Sequence, residues 1–519
     1  MTISILQRGM LFGLLACCLA PSRAAEYVPP QQPGKFNATP ASLKQYRAPD
    51  WFRDAKFGIW SHWGPQAVPR AGDWYARNMY IEGTHQYQHH LRQYGHPSQF
   101  GYKDIIPLWK AERFDPDALM ALYVKAGARY FVSMGVHHDN FDLWNSRHHS
   151  WNAVNMGPRR DIVGAWQRAA QKAGLPFGVS EHLGASFGWF ASSHGHDKSG
   201  PMVGVPYDGA NPSFQELYHS DNEAYLSMSI YGNNWYTTHP AWHQEWFRRV
   251  SDLLDTYHPD LLYSDGGIPF GVVGRTLLAN YYNANMAANG GRLTAVYNHK
   301  DGGEFIAEAG VQDVERGVLK GINPLPWQTD TSIGDWFYSE GYQYKPTSEI
   351  IHMLADIVSK NGNLLLNVVQ YPDGSLPPEP RKFLEEMAVW IGINGEAIYG
   401  TRPWKVFGEG PTEAAVGAMK EGTKYTPQDI RFTAKGDAVY AITLGVPDEQ
   451  VVIQSLGKRA GHVSGPISAV YLLGSKAPLK WTQRDDALVV SLPPRIPTAH
   501  ASALKIVMKD AQIASATPR

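Results

Sequence analysis

Asp260-Leu-Leu-Tyr-Ser-Asp265-Gly-Gly267 is a short apolar run that ends on a carboxylate and two glycines. The segment before it, residues 241–257, carries Trp242, Trp246, Val250, Leu253, Leu254 and Tyr257 at helical spacing. A helix that feeds a buried strand is the repeating unit of a parallel α/β sheet. In a closed barrel, the C-terminal end of such a strand is where catalytic groups stand. An isolated Asp-Gly pair serves equally well as a turn. The unit therefore has to recur elsewhere before Asp265 carries weight.

It does recur. Apolar runs at 57–60, 130–136, 177–180, 295–297 and 364–369 read as further strands, and amphipathic stretches lie between them. Asp115-Pro116 is an N-cap followed by proline at the first helical position. Leu119, Leu122, Tyr123 and Ala126 then form one apolar face, which Gly127 ends. Asp161 opens a second helical stretch that stops at Gly174, and residues 348–360 form a third that ends at Asn361-Gly362. More than six such units over some 350 residues favour a closed (β/α) TIM-like barrel, with some strands not legible. From about Thr401 the texture changes to short alternating runs at 438–444, 450–453, 469–473 and 487–492, as expected of a C-terminal antiparallel β-sandwich. The expected division is a signal peptide at 1–25, a catalytic barrel at 26–397 and a β-sandwich at 398–519.

The bulk properties exclude some partners. A formal net charge of -1 gives no electrostatic case for nucleic acid or an anionic membrane. Arg8, the apolar run 10–20 and Ser22-Arg23-Ala24 read as an export signal, too short to anchor in a bilayer. Both cysteines, Cys17 and Cys18, lie inside it, so the mature chain is expected to carry no thiol and no membrane span. A periplasmic or secreted protein is the expectation. Acylation at Cys17 is the alternative, and assembly into a homo-oligomer is left open. The 17 tryptophans and 27 tyrosines suit the faces of sugars, although large cores also consume tryptophan.

Polar groups cluster just past the strand ends: His62, the run His137-His138-Asp139, Glu181-His182, Asp265, Asn298-His299 and Trp327-Gln328-Thr329-Asp330. In a barrel these ends converge on one face. Any one histidine is explained by hydrogen bonding in a core; the set is not. Neighbouring residues on a strand point to opposite faces, so a His-His pair rarely supplies two ligands to one ion. Neither a metal nor a cofactor is expected, and a metal-dependent hydrolase is the less favoured alternative. No phosphate loop, Ser-His-Asp order or nucleophile elbow stands out.

The segments Trp51-Phe-Arg-Asp-Ala-Lys-Phe-Gly-Ile-Trp-Ser-His62-Trp-Gly64 and Trp74-Tyr-Ala-Arg-Asn-Met-Tyr80 resemble the N-terminal signature of family 29 α-L-fucosidases. So do the run from Tyr130 through Val136-His137-His138-Asp139 to Trp144, Trp151-Asn152 and Arg160-Asp161. His258 to Gly266 looks like the family's nucleophile strand, and Lys360 to Asn367 like its last barrel strand. The resemblance covers roughly residues 51–394. It implies a barrel followed by a β-sandwich and an exo-acting, retaining α-L-fucosidase whose partner is a fucosylated glycan. It matches Asp265 to the nucleophile, His62, His137 and His138 to residues that hold the fucose hydroxyls, and Trp74 to an aromatic of the sugar pocket. It also implies sugar contacts for Tyr263, which stands where many members have tryptophan, and for His182, near where many have tyrosine. Arg316 matches a sugar-contacting arginine.

The chain departs from the pattern at the acid/base. Many members carry a glutamate after tryptophan, where this chain has Trp327-Gln328. Glutamine has no titratable proton, so Gln328 is left as a substrate contact. Glu315, in Asp313-Val-Glu-Arg-Gly317, is the first candidate for the missing acid. The stretch 304–308, Glu82 and Glu340 are the alternatives. Without a competent acid, the chain would be a fucose- or glycan-binding protein on the same fold.

Overall fold

The computed structural model describes residues 27–231, 234–463 and 465–509. The expected export signal and both cysteines lie outside them. Among the described residues no helix is long and apolar enough to cross a membrane.

Eight parallel strands close into a barrel: β1 (Phe57–Ser61), β2 (Tyr130–Val136), β3 (Phe177–Glu181), β4 (Leu261–Ser264), β5 (Val296–His299), β6 (Val311–Asp313), β7 (Trp327–Ser332) and β8 (Gly362–Asn367). Closure comes from β8 pairing back onto β1, with Phe57 opposite Leu364 and Trp60 opposite Asn367. The helix Pro240–Tyr257 precedes β4 and buries Trp242, Trp246, Val250, Leu253, Leu254 and Tyr257, the face expected from spacing. Helices Pro116–Lys125, Ile162–Lys172 and Thr347–Ser359 also form where their caps and apolar faces place them.

Two of the barrel strands are not legible in the sequence, for a physical reason. β6 has three residues. β7 reads Trp-Gln-Thr-Asp-Thr-Ser, yet every one of its side chains is buried. A polar strand survives inside a barrel only if its groups find partners there. Here Gln328 bonds Tyr130 and Asp313, and Thr329 bonds the Gly317 carbonyl.

The C-terminal region forms two antiparallel sheets. The five-stranded one has the order β13-β16-β11-β10-β9 and the three-stranded one β12-β15-β14. The strands are β9 (Arg402–Glu409), β10 (Ile430–Lys435), β11 (Ala438–Thr443), β12 (Gln450–Ile453), β13 (Ile467–Leu472), β14 (Trp481–Gln483), β15 (Leu488–Ser491) and β16 (Ser502–Met508). Trp404, Phe432, Val470, Leu488 and Ile506 fill the core between them. This domain is fastened to the barrel by buried charge. Asp356, on the helix before β8, takes Arg431 of β10 at 2.5 Å and Lys360 at 2.7 Å. Removing one partner of such a pair costs about 3–5 kcal/mol, because the other is left charged and dry.

Candidate active site

The strand ends open into one cavity of about 650 Å³. Asp265 stands directly after β4, and its N–H donates to the Glu181 carbonyl beside it at 3.2 Å. The glycines that follow are a matter of space. A Cβ on Gly267 would lie 1.6 Å from the Gly302 carbonyl oxygen. The loop after β5 therefore passes close by, and it carries Lys300.

The Lys300 ammonium lies 2.6 Å from Asp265 Oδ1, 2.6 Å from Glu315 Oε2 and 3.5 Å from Asp330 Oδ2. Asp265 Oδ2 faces His138 Nε2 at 3.2 Å and His182 Nδ1 at 3.1 Å, the latter too oblique for a full hydrogen bond. Burial alone would raise the Asp265 carboxyl, but Lys300 and His182 outweigh it and hold the group well below the usual carboxylate range. Burial raises Glu315, and Asp330 and Asp265 add to that, with Lys300 offsetting only part. Burial would lower Lys300, yet the carboxylates around it hold its proton well above the usual lysine range. Asp265 and Glu315, two of the carboxyl groups that line the pocket, are thus shifted in opposite directions.

The histidine wall comes from β1, β2 and β3. Gln66 accepts from the Ala76 N–H with its Oε1, so its amide nitrogen donates to His137 Nδ1 at 2.9 Å. In the neutral ring the His137 proton then sits on Nε2. Burial lowers His62, His137 and His182, so these rings are neutral donor–acceptors at ordinary pH. His62 Nδ1, His182 Nε2 and Asp73 Oδ1 are buried without a hydrogen-bond partner among the described residues. All three residues line the cavity, and polar groups left unpaired beside a cavity are ones whose partners a ligand's hydroxyls would supply. The helix Pro240–Tyr257 steadies the loop after β2: Arg249 donates to Asp142 at 2.6 Å and to Asn140 at 2.6 Å.

The adjoining wall is aromatic, with Trp74 and Trp235 centred 6.2 and 5.0 Å from His138. Trp74, at φ 56°, sits in the left-handed region that bulky residues avoid. It stacks on Tyr231 and Trp235, with centroids at 6.0 and 6.3 Å. Trp235 donates to the Asp265 carbonyl at 3.0 Å, which ties the 188–236 insert to the loop after β4. Arg316 lies over Trp336 at 4.9 Å.

The cavity thus gathers Asp265, Glu315, Arg316, His62, His137, His138, His182 and Trp74. Two expected sugar contacts lie elsewhere. Tyr263 is fully buried beneath Lys300 and donates to Asp330 at 3.0 Å. Gln328 is fully buried between Tyr130 and Asp313. Both belong to barrel layers below the floor, since side chains along a strand alternate and only the last residues reach the mouth. His299 likewise turns into the core against Tyr297, at 5.3 Å. The alternative acids do not line the cavity. Glu304 pairs with Arg275, Glu308 with Lys44, and Glu82 accepts from Lys198 and Ser199. Glu340 is also absent from the lining. The sequence reading missed Lys300, Asp73, Trp235 and Trp336. Lys300 had a signal, being the next residue after Asn298-His299, and Asp73 directly precedes Trp74.

Two overlapping sets could hold a cation, His62 with His137 and His182, and His138 with His182 and Asp265, their ligand atoms within 4.8 Å of one another. In the second set His138 Nε2 and His182 Nδ1 already lie 3.2 and 3.1 Å from Asp265 Oδ2, so that carboxylate is occupied by the two rings.

Comparison with known proteins agrees with this geometry. Residues 24–396 match the family model described as Alpha-L-fucosidase, and residues 424–509 match the Alpha-L-fucosidase C-terminal domain. The chain is 29% identical over 486 residues to the human tissue alpha-L-fucosidase, covering 90% of each. It is 28% identical over 491 residues to the alpha-L-fucosidase of Branchiostoma floridae, covering 91% of this chain and 92% of that one. The structure of the Thermotoga maritima alpha-fucosidase in complex with a mechanism based inhibitor superposes with a TM-score of 0.71 at 25% identity, over 91% of this chain and all of that one. The chain belongs to the α-L-fucosidase family, glycoside hydrolase family 29, and is a glycoside hydrolase.

Proposed function

We propose that this family member is a retaining exo-α-L-fucosidase that removes terminal α-linked L-fucose by double displacement through a glycosyl-Asp265 ester. One observation carries the reading. Asp265 Oδ1 and Glu315 Oε2 each lie 2.6 Å from the same Lys300 nitrogen, so they are no further apart than twice that, 5.2 Å. Retaining glycosidases hold their carboxyl groups about 5–5.5 Å apart, and inverting ones about 6.5–9.5 Å, to admit a water between carboxylate and sugar.

In the first step Asp265 Oδ1 or Oδ2 forms a bond to the anomeric carbon as the glycosidic C–O bond breaks, and Glu315 gives its proton to the departing oxygen. In the second step Glu315, now a carboxylate, takes a proton from water as that water attacks the anomeric carbon, and the ester bond breaks to restore Asp265. Lys300 holds both carboxyl groups in register and stabilises the ionised one of each step. The buried floor of histidines suits a single terminal sugar, with its hydroxyls meeting the unpaired nitrogens of His62 and His182. The glycan-binding alternative rests on Gln328. That residue lies under the floor, and a carboxyl group stands where a proton donor is needed.

The test is the stereochemistry of the first product. Proton NMR during hydrolysis of 4-nitrophenyl α-L-fucoside should show α-L-fucose forming before mutarotation. β-L-Fucose as the first product would refute retention, and binding of fucose without turnover of any fucoside would favour the glycan-binding reading. On the apolar run and small residues before position 25 we also propose export from the cytoplasm, which N-terminal sequencing of the mature chain would check.

A further inference from the structure

The floor of the pocket belongs to the barrel, but its mouth does not belong to the barrel alone. The connection from β9 to β10 leaves the C-terminal domain and lies against the segment that carries Glu315. Met419 N–H donates to the Glu315 carbonyl at 2.8 Å, Lys420 N–H to the Arg316 carbonyl at 2.9 Å, and Gly417 N–H to the Val318 carbonyl at 3.0 Å. Glu421 anchors it, accepting from Thr331 at 2.6 Å, Lys345 at 2.9 Å and Arg316 at 3.2 Å. The approach is backbone to backbone: a Cβ on Gly317 would sit 2.0 Å from the Gly417 carbonyl oxygen.

This strap delivers one side chain to the cavity. Met419 lines it, 66% exposed, next in space to the main chain of the residue that would protonate the leaving oxygen. Tyr231 and Tyr342 line the same mouth, 65% and 42% exposed, whereas the histidines of the floor are buried. An exposed thioether beside the departing oxygen, with two exposed aromatic rings at the same rim, is an adaptable apolar surface for whatever the oxygen leaves with.

We propose that residues 417–421 of the C-terminal domain complete the leaving-group side of the pocket, with Met419 the specificity-determining side chain that meets the sugar next to fucose. The inference rests on the fucosidase reading. The main chain of Met419 makes the bond to Glu315, so a side-chain substitution leaves the strap in place and removes only the thioether surface.

The test uses the full chain, wild type, Met419→Ala and Met419→Leu. Their substrates are α-L-fucosyl fluoride, whose leaving group is one atom, and fucose linked α(1→2) to galactose or α(1→3), α(1→4) or α(1→6) to N-acetylglucosamine. For the disaccharide the wild type cleaves best, the ratio of its kcat/KM to that for the fluoride should fall about 10-fold in Met419→Ala, through KM, the scale of trimming one apolar side chain in a binding site. Met419→Leu should recover most of it. An unchanged ratio in Met419→Ala overturns the inference, and so does a wild type that hydrolyses the fluoride but none of the disaccharides. Failure of the wild type on the fluoride itself would sink the fucosidase reading and this inference together.

Discussion

Asp265 and Glu315, two of the carboxyl groups that line the pocket, are held in opposite ways. Asp265 follows a four-residue barrel strand, its own N–H bonds the neighbouring strand, and two histidines and a lysine face its oxygens. Glu315 sits on a loop beyond β6. It is held by a strap that arrives from another domain more than a hundred residues later in the chain. In the proposed mechanism the nucleophile is a property of a strand end, and the acid a property of how two domains dock. A group that must not move during the attack gains from the rigid element. A group that has to accept different leaving groups can be tuned where loops meet.

The comparison breaks first at Asp265. Asp265→Ala should cut kcat for 4-nitrophenyl α-L-fucoside at least about 10³-fold, since it removes a bond-forming atom rather than a supporting neighbour. With azide that variant should form β-L-fucosyl azide by direct displacement. Full activity without azide would remove Asp265 as nucleophile.

Glu315→Ala should be milder and depend on the leaving group. Turnover of unactivated disaccharides should drop roughly 10²–10⁴-fold, the usual worth of a general acid, with a much smaller loss for 4-nitrophenyl. Azide should rescue it through the glycosyl-enzyme and yield α-L-fucosyl azide. The pH profile follows from the directions of the two shifts. Asp265, held low, must be ionised, so activity falls only as the medium is made acid through its depressed value. Glu315, held high, must be protonated, so activity falls as pH rises through its elevated value. Glu315→Ala should abolish the alkaline limb and leave the acid limb. An alkaline limb that persists would assign the acid to another group.

The smallest effect belongs to the strap. Glu421→Gln weakens its anchor on Arg316 and Lys345 and leaves the Asp265 side untouched. It should lower kcat for disaccharides about 3- to 10-fold with little change for the fluoride, the scale of weakening one charged hydrogen bond. A decrease of equal size on both substrates would mean that the two carboxyl groups are not held independently.

Much of this was legible residue by residue. Strands β2 and β4 could be read with their ends because buried parallel strands are apolar runs and the helices between them carry caps. The order His62, His137-His138, His182, Asp265 followed, because each residue directly succeeds such a run. β7 was not legible, since Gln328, Thr329 and Asp330 are buried polar groups satisfied by partners far away in sequence, and no local pattern marks such a strand. Tyr263 and Gln328 are expected in the sugar pocket because their neighbours are there. Their depth along the strand, which decides pocket or core, depends on the tilt and register of the closed barrel.

By itself, then, the sequence determined the barrel, its β-rich second domain, the strand that ends at Asp265 and the histidine wall. These arise from periodicity, caps and strand ends, all set by residues close together in the chain. The tertiary structure alone decided which carboxyl group faces Asp265 across Lys300, and that a segment of the C-terminal domain supports it. Both are distances between groups from separate elements. Such distances are set by barrel closure and domain docking, and neither leaves a mark at the residues concerned.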